Sequence, residues 1–308
     1  MEGTLYTGEI PVLFIHSGNQ EYLTYAIRQA ERTNKRVFLL GDESNKNVTQ
    51  NWVDMNRYIT NRWGTFEKVY QHMSTNPYTF ELNCFRRFFA SYEFAKANGI
   101  QSFMMLDSDC LAFADFSKLD FNGVDVGLSM PQNQENYCWT ASPHASFWTL
   151  QALEDFLQYL FYKYTKDSED LEVKWEYHQR NKIRGGICDM TLLYLWAVSN
   201  RGFNVLNTTK SLQGGVFDHF LSVTEGYEIG EFPVNKFCGI KHLCFKDGRA
   251  YFRKKSGEWI QTYTIHAQGK SKIYIKELYK QRNSILFYVI VKIKNIIARA
   301  FQKVRILQ

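Results

Sequence analysis

The run Ser102-Phe103-Met104-Met105-Leu106 ends directly on Asp107-Ser108-Asp109. Continuous apolar residues bounded by turn signals read as a strand buried on both faces, and such strands sit in parallel sheets covered by helices on both sides. In open α/β sheets the ligand crevice lies at the carboxyl ends of the strands. The two carboxylates fall on that edge. The 308-residue length allows one large α/β domain or two modest ones, and 45% hydrophobic content is ample for a core. The 24 Phe, 19 Tyr and 7 Trp against 5 Pro exclude a disordered, collagen-like or linker-like chain.

The preceding residues alternate strand and helix. Ile10 to His16 is an apolar run stopped by Ser17, Gly18 and Asn19, with Asn19 as cap for a helix over about Gln20 to Thr33. Val37 to Leu40 is a second strand, closed by Gly41 and Asp42. A helix from Glu81 to Asn98 stops at Gly99 and leads into the Ser102 strand. Beyond residue 140, helices are expected at Thr149 to Tyr164 and Ile187 to Asn200, and a strand over Ser256 to His266 feeds His266-Ala267-Gln268-Gly269-Lys270-Ser271-Lys272. No linker separates a second domain. There is no G-x-G-x-x-G after the first strand and no G-x-x-x-x-G-K-[ST] anywhere, so a nucleotide must be held without either glycine loop.

Oxygen ligands suit hard divalent cations such as Mg²⁺ and Mn²⁺, and a metal held by one or two carboxylates commonly completes its shell with substrate phosphates. Asp107 and Asp109 supply such carboxylates. His266 can add a neutral imidazole, Gly269 permits close backbone approach, and Lys270 or Lys272 can neutralise a leaving diphosphate. Taken alone, an Asp-x-Asp triplet also occurs in solvated loops, and a single histidine is more often structural.

The strand, Asp107-Ser108-Asp109 and the late His266-x-x-Gly269-x-x-Lys272 together resemble the GT-A fold of bacterial-type nucleotide-sugar-dependent glycosyltransferases. Pro11 to His16, Leu40-Gly41-Asp42 and Phe85-Arg86-Arg87-Phe88 are similar to the donor-binding half, so the resemblance spans roughly residues 10 to 275. It implies a Rossmann-like, mostly parallel sheet flanked by helices. It also implies a nucleoside diphosphate sugar as donor, a UDP-sugar foremost, with Mn²⁺ or Mg²⁺ held by Asp107, Asp109 and His266. His16, Ser17 and Asp42 would contact base and ribose, Arg86 or Arg87 the donor sugar or phosphates, and Gly269 and Lys272 the diphosphate, with Lys270 as a further candidate. Gly185-Gly186-Ile187-Cys188-Asp189-Met190 resembles the acceptor-side loop, where Asp189 would be the catalytic carboxylate. Asp189 equally suits the first turn of a helix.

These readings give a catalytic domain over residues 1–280, divided into a nucleotide-sugar half (1–130) and an acceptor half that also carries the late His/Lys motif (131–280), and a basic amphipathic tail over 281–308. In the tail, Ile293, Ile296, Ile297, Ala300, Phe301, Val304 and Leu307 share one face of an amphipathic helix, and Lys292, Arg299 and Lys303 share the other. The uninterrupted apolar run is too short to span a bilayer, so an interfacial helix on an anionic membrane is expected, or else packing on the protein itself. The opening Glu2-Gly3-Thr4 is unlike a secretory leader, which leads to an expectation of reduced cysteines and a cytoplasmic enzyme, peripheral at the inner face of a membrane. The net charge of +6 does not indicate nucleic acid as a partner. The acceptor expected is a glycan or a lipid-linked sugar. Competing readings are a membrane-associated carbohydrate-binding scaffold, which leaves the metal residues unexplained, and a metal-dependent nucleotidyltransferase. Cys238, His242 and Cys244 suggest a zinc site only weakly, because no fourth ligand is evident.

Overall fold

The computed structural model describes residues 8–222, 232–281, 288–294 and 296. Its centre is a seven-stranded sheet in the order β3-β2-β1-β4-β7-β6-β8. The strands are β1 (Val12–Ile15), β2 (Val37–Gly41), β3 (Trp52–Asp54), β4 (Ser102–Leu106), β6 (Val126–Ser129), β7 (Ser142–Thr149) and β8 (Val205–Asn207). Only β7 runs against its neighbours, β4 and β6. The mixed α/β class expected from the sequence is therefore the one observed.

Both faces of the sheet are covered, which explains the continuous apolar strands. On one face Leu13, Phe103 and Met105 pack with α2 (Asn61–Val69), α3 (Tyr78–Ala97), α4 (Leu150–Thr165) and α6 (Asp189–Val198) through Phe66, Phe85, Phe88, Phe156 and Trp196. On the other, Val12, Phe14, Met104 and Leu106 pack against α1 (Glu21–Thr33). Successive strand residues thus alternate between two cores. The largest cluster of aromatic side chains lies in the first core, where the Phe66 ring contacts Phe85, Phe89, Phe161 and Tyr164.

Element boundaries depart from expectation at helix ends. The first helix is preceded by Gln20, not Asn19, and Gln20 makes no side-chain capping bond. The α3 helix starts at Tyr78, a turn earlier than expected, because Pro77 stands at its N-cap. Features not foreseen include α2, α5 (Glu169–Arg180), the strands β3, β6, β7 and β8, and the assembly of a second sheet from β5 (Cys110–Ala112), β9 (Gly215–Phe217), β10 (Leu243–Lys246), β11 (Arg249–Arg253) and the expected strand β12 (Trp259–His266). The second sheet has its own core with α7 (Ile275–Tyr279), through Phe245, Phe252 and Leu278. All six cysteines are free, as expected. Among the described residues, the group able to hold a metal is Asp107, Asp109 and His266, so the weak zinc suggestion at Cys238, His242 and Cys244 is not met.

Most of the expected tail helix lies outside the described residues. Residues 288–294 and 296 are helical, and they bear on the domain. Val291 is fully buried in the second core, and the Tyr288 hydroxyl donates to Leu243 O at 2.8 Å while accepting from its N–H at 3.0 Å. Ile293 and Ile296 are exposed.

Candidate active site

Parallel pairing brings the carboxyl ends of β1, β2 and β4 level. Ile15 lies beside Leu40, and Phe14 beside Leu106, so His16, Asp42 and Asp107 leave the sheet along one edge. Asp107-Ser108-Asp109 is the short link from β4 into β5, the point where the two sheets join. Antiparallel pairing of β5 with β12 places His266 opposite Cys110. A residue 157 positions from Asp109 thus arrives beside it through sheet register (266 − 109 = 157).

Ligand atoms of Asp107, Asp109 and His266 all lie within 4.8 Å of one another. His266 Nε2 is 3.4 Å from Asp109 Oδ1, and Lys272 Nζ is 3.2 Å from Asp109 Oδ2. The tautomer of His266 follows from its surroundings. Nδ1 donates to His219 O at 2.6 Å, which leaves Nε2 facing the carboxylates. The backbone N–H of His266 donates to Asp218 Oδ2 at 3.0 Å, and Asp218 is ion-paired to Lys241, both fully buried. His144 stacks on the His266 ring with centroids 4.1 Å apart and donates from Nε2 to Asp218 O at 2.9 Å. Burial alone would raise the Asp109 carboxyl pKa, but hydrogen bonding and charge from His266 and Lys272 pull it below the usual range. Burial alone would lower that of His266, and Asp109 raises it instead. Two hard oxygens and one oriented imidazole nitrogen fit a divalent cation, which would take over the neutralising role that His266 and Lys272 play here.

Arg87 links this group to α6. Its guanidinium reaches Asp107 Oδ1 at 2.6 Å and pairs with Asp189 Oδ2. Asp189 is the first residue of α6 and is almost fully buried. Burial raises its pKa, and Arg87 opposes that shift. His16, Ser17, Arg86 and Arg87 line one cavity of about 270 Å³ with Phe80 and Cys84. Arg86 donates to Asn56 Oδ1 at 2.9 Å, yet among the described residues Nε of Arg86 and Nε of Arg87 are buried without a hydrogen-bond partner.

Asp42 accepts from Gly18 N–H at 2.7 Å, which fixes the β1–α1 loop. Asn45 secures the same loop: its Nδ2 donates to His16 O at 2.9 Å and Gly18 O at 3.0 Å, while Trp52 Nε1 donates to its Oδ1 at 3.0 Å. Gly269 opens a 3₁₀ turn with φ of 59°, a left-handed conformation that favours glycine. That turn delivers Lys272 to Asp109, whereas Lys270 is exposed. The structure thus gathers Asp107, Asp109, His266 and Lys272 in one cluster, joins Asp189 to it through Arg87, and sets His16, Ser17 and Arg86 in the adjoining cavity. Sequence reasoning missed Asn45, His144, Asp218, His219 and Lys241. The available signal was polar residues within apolar strands, as at His144 in β7.

No family model matches the chain, and no curated protein matches it. Among solved structures it is similar to a glycosyltransferase involved in glycosylation of the major capsid of PBCV-1, at 11% identity over 89% of this chain and 100% of that one, with a TM-score of 0.43. It is also similar to mouse xyloside xylosyltransferase 1, at 14% identity over 66% of this chain and 86% of that one, with a TM-score of 0.41. A third is the bifunctional glycosyltransferase WbbM, at 12% identity over 91% and 52% of the respective chains and a TM-score of 0.39. The class defined by fold and site is a mixed α/β protein with an Asp-x-Asp metal-type group at the carboxyl edge of its sheet. Its neighbours among solved structures are glycosyltransferases.

Proposed function

We propose that the chain is a metal-dependent glycosyltransferase that moves a sugar from a nucleoside diphosphate sugar, a UDP-sugar first among them, to a glycan or lipid-linked acceptor. The observation that supports this most is the convergence of Asp107, Asp109 and His266 at the carboxyl edge of the sheet. A Mn²⁺ or Mg²⁺ ion held by these three residues would supply a Lewis acid opposite the diphosphate as negative charge develops on it.

The chain's own groups supply the rest. Residues 1–130 hold the nucleotide sugar, while 131–280 hold the acceptor and bring the late His266 and Lys272 to the diphosphate. Lys272 turns from Asp109 to the leaving diphosphate, while Arg86 faces the donor through the adjoining cavity. Asp42 and Asn45 fix the loop where His16 and Ser17 meet base and ribose. Asp189, ion-paired to Arg87 at the start of α6, is the carboxylate nearest the acceptor side, and Arg87 must release it before it can take a proton from the acceptor hydroxyl. At the tail, exposed Ile293 and Ile296 beside basic residues support peripheral attachment to an anionic membrane on the cytoplasmic side. Among the described residues no helix is long and apolar enough to cross a membrane.

The reading is tested by screening nucleotide sugars for metal-dependent hydrolysis and thermal stabilisation, since water can slowly replace an unknown acceptor. Release of a nucleoside diphosphate with at least one donor supports it. Release of pyrophosphate from a nucleoside triphosphate would instead indicate a nucleotidyltransferase.

A further inference from the structure

A separate cavity of about 580 Å³ opens beside the strap that leads into Asp189. Trp175 and His178 of α5 form one wall, Asn76 and Gln179 offer amides, and Lys182 and Arg184 contribute positive charge. Among the described residues, no acidic residue lines it. Lys182 and Arg184 are exposed, and neither forms an ion pair among the described residues. His178 is 9% exposed, and its Nδ1 is buried without a hydrogen-bond partner among the described residues.

The strap is held rigidly. Gly185 N–H donates to Thr75 Oγ1 at 2.8 Å, Thr75 N–H donates to Gly185 O at 3.0 Å, and Ile187 N–H donates to Met73 O at 2.7 Å. A Cβ on Gly186 would lie 2.2 Å from Met73 O and 3.0 Å from the Trp175 ring, so only glycine lets the indole rest against the strap. Arg184 and Asp189 are five positions apart (189 − 184 = 5), a span of at most about 17 Å along the chain. The cavity therefore lies within a few sugar units of the α6 start, along the strap that ends on Asp189.

An indole face stacks on a sugar ring, amides bond hydroxyls, and a guanidinium with an ammonium selects an anionic substituent. We propose that this cavity binds the acceptor glycan and selects one bearing negative charge, a carboxylate or a phosphate on a sugar. The inference rests on the glycosyltransferase reading and specifies the acceptor class.

The test is calorimetric titration of the full chain with three oligosaccharides: a hyaluronan hexasaccharide, its carboxyl-reduced neutral form, and a mannose oligosaccharide bearing a 6-phosphate. At least one charged oligosaccharide should bind tenfold or more tightly than the neutral one. In the double variant Lys182→Gln, Arg184→Gln that preference should vanish, while acceptor-free donor hydrolysis stays at the wild-type rate. The two charged probes separate carboxylate from phosphate recognition. Equal binding of neutral and charged forms, binding of none, or a preference that survives the double substitution overturns the proposal. Absence of donor hydrolysis in the wild type would instead overturn the glycosyltransferase reading, with the binding result still deciding the charge preference.

Discussion

Asp218 holds His266 from beneath, and its own charge is answered by Lys241 in a site closed to solvent. Partners that orient a metal ligand typically contribute 10- to 100-fold in metal affinity. Asp218→Asn should therefore weaken Mn²⁺ binding by about tenfold, read by paramagnetic resonance titration. The single change leaves Lys241 buried without its partner, a loss on the order of 3 kcal/mol or more. The pair Asp218→Asn, Lys241→Met removes that charge and should recover stability without recovering metal affinity. Unchanged Mn²⁺ affinity in both variants would show that Asp218 does not position the histidine. Lys174 presents a different problem: it is 2% exposed and bonded to Thr191 Oγ1 at 3.0 Å, with no carboxylate partner among the described residues. Burial lowers its pKa to about 8 from 10.5. Between those values the unfolded chain binds the proton and the folded one does not, so this group makes stability rise with pH, by up to about 3 kcal/mol. Denaturant titrations at pH 7.5 and pH 10 should show that Lys174→Met lacks this rise relative to the wild type. Identical pH slopes would mean that Lys174 keeps an ordinary ammonium.

At the scale of elements, the loop after β1 depends on Gly41 at the end of β2. A Cβ there would stand 2.0 Å from Asn45 Oδ1 and 2.7 Å from Trp52 Nε1, the two groups that hold the loop. Gly41→Ala should lower stability by about 2 kcal/mol by displacing Asn45 from His16 O and Gly18 O, and should weaken nucleoside diphosphate binding more than Mn²⁺ binding. Equal affinity for the nucleotide in mutant and wild type would free Asn45 of that role. Much of this architecture was legible in the sequence because β1, β2 and β4 are uniformly apolar and end on polar residues at one edge. The Ser102 to Leu106 strand fell where expected. The second sheet was missed in part: β10, β11 and β12 pair as successive hairpins, the first closed by Asp247-Gly248, a local turn signal that was passed over, whereas β5 and β9 reach β12 from distant sequence. The pairing of β5 with β12 that delivers His266 to Asp109 is set by tertiary register, which no local pattern encodes. The polar layer of His144, Asp218 and Lys241 escaped for a related reason: its members lie far apart in sequence and show their role only where the strands meet.

For the whole molecule, the described part of the tail helix belongs to the domain. A chain cut after Lys280 loses Tyr288 and buried Val291, and should melt several degrees lower. A chain cut after Ile296 keeps that packing and should melt like the full protein, yet sediment less with anionic vesicles at low salt. Equal sedimentation of the two would place membrane attachment elsewhere or remove it. Function turns on whether Asp107, Asp109 and His266 hold a cation used on a nucleoside diphosphate sugar, as proposed above. The most direct measurement is nucleoside diphosphate release from the best donor in the presence and absence of Mn²⁺, for wild type and Asp109→Ala, with melting curves for both. Release that requires the metal, and that falls at least 100-fold in the variant while the fold is retained, is the predicted result. Release that is independent of metal, or equal in the two proteins, would contradict the account.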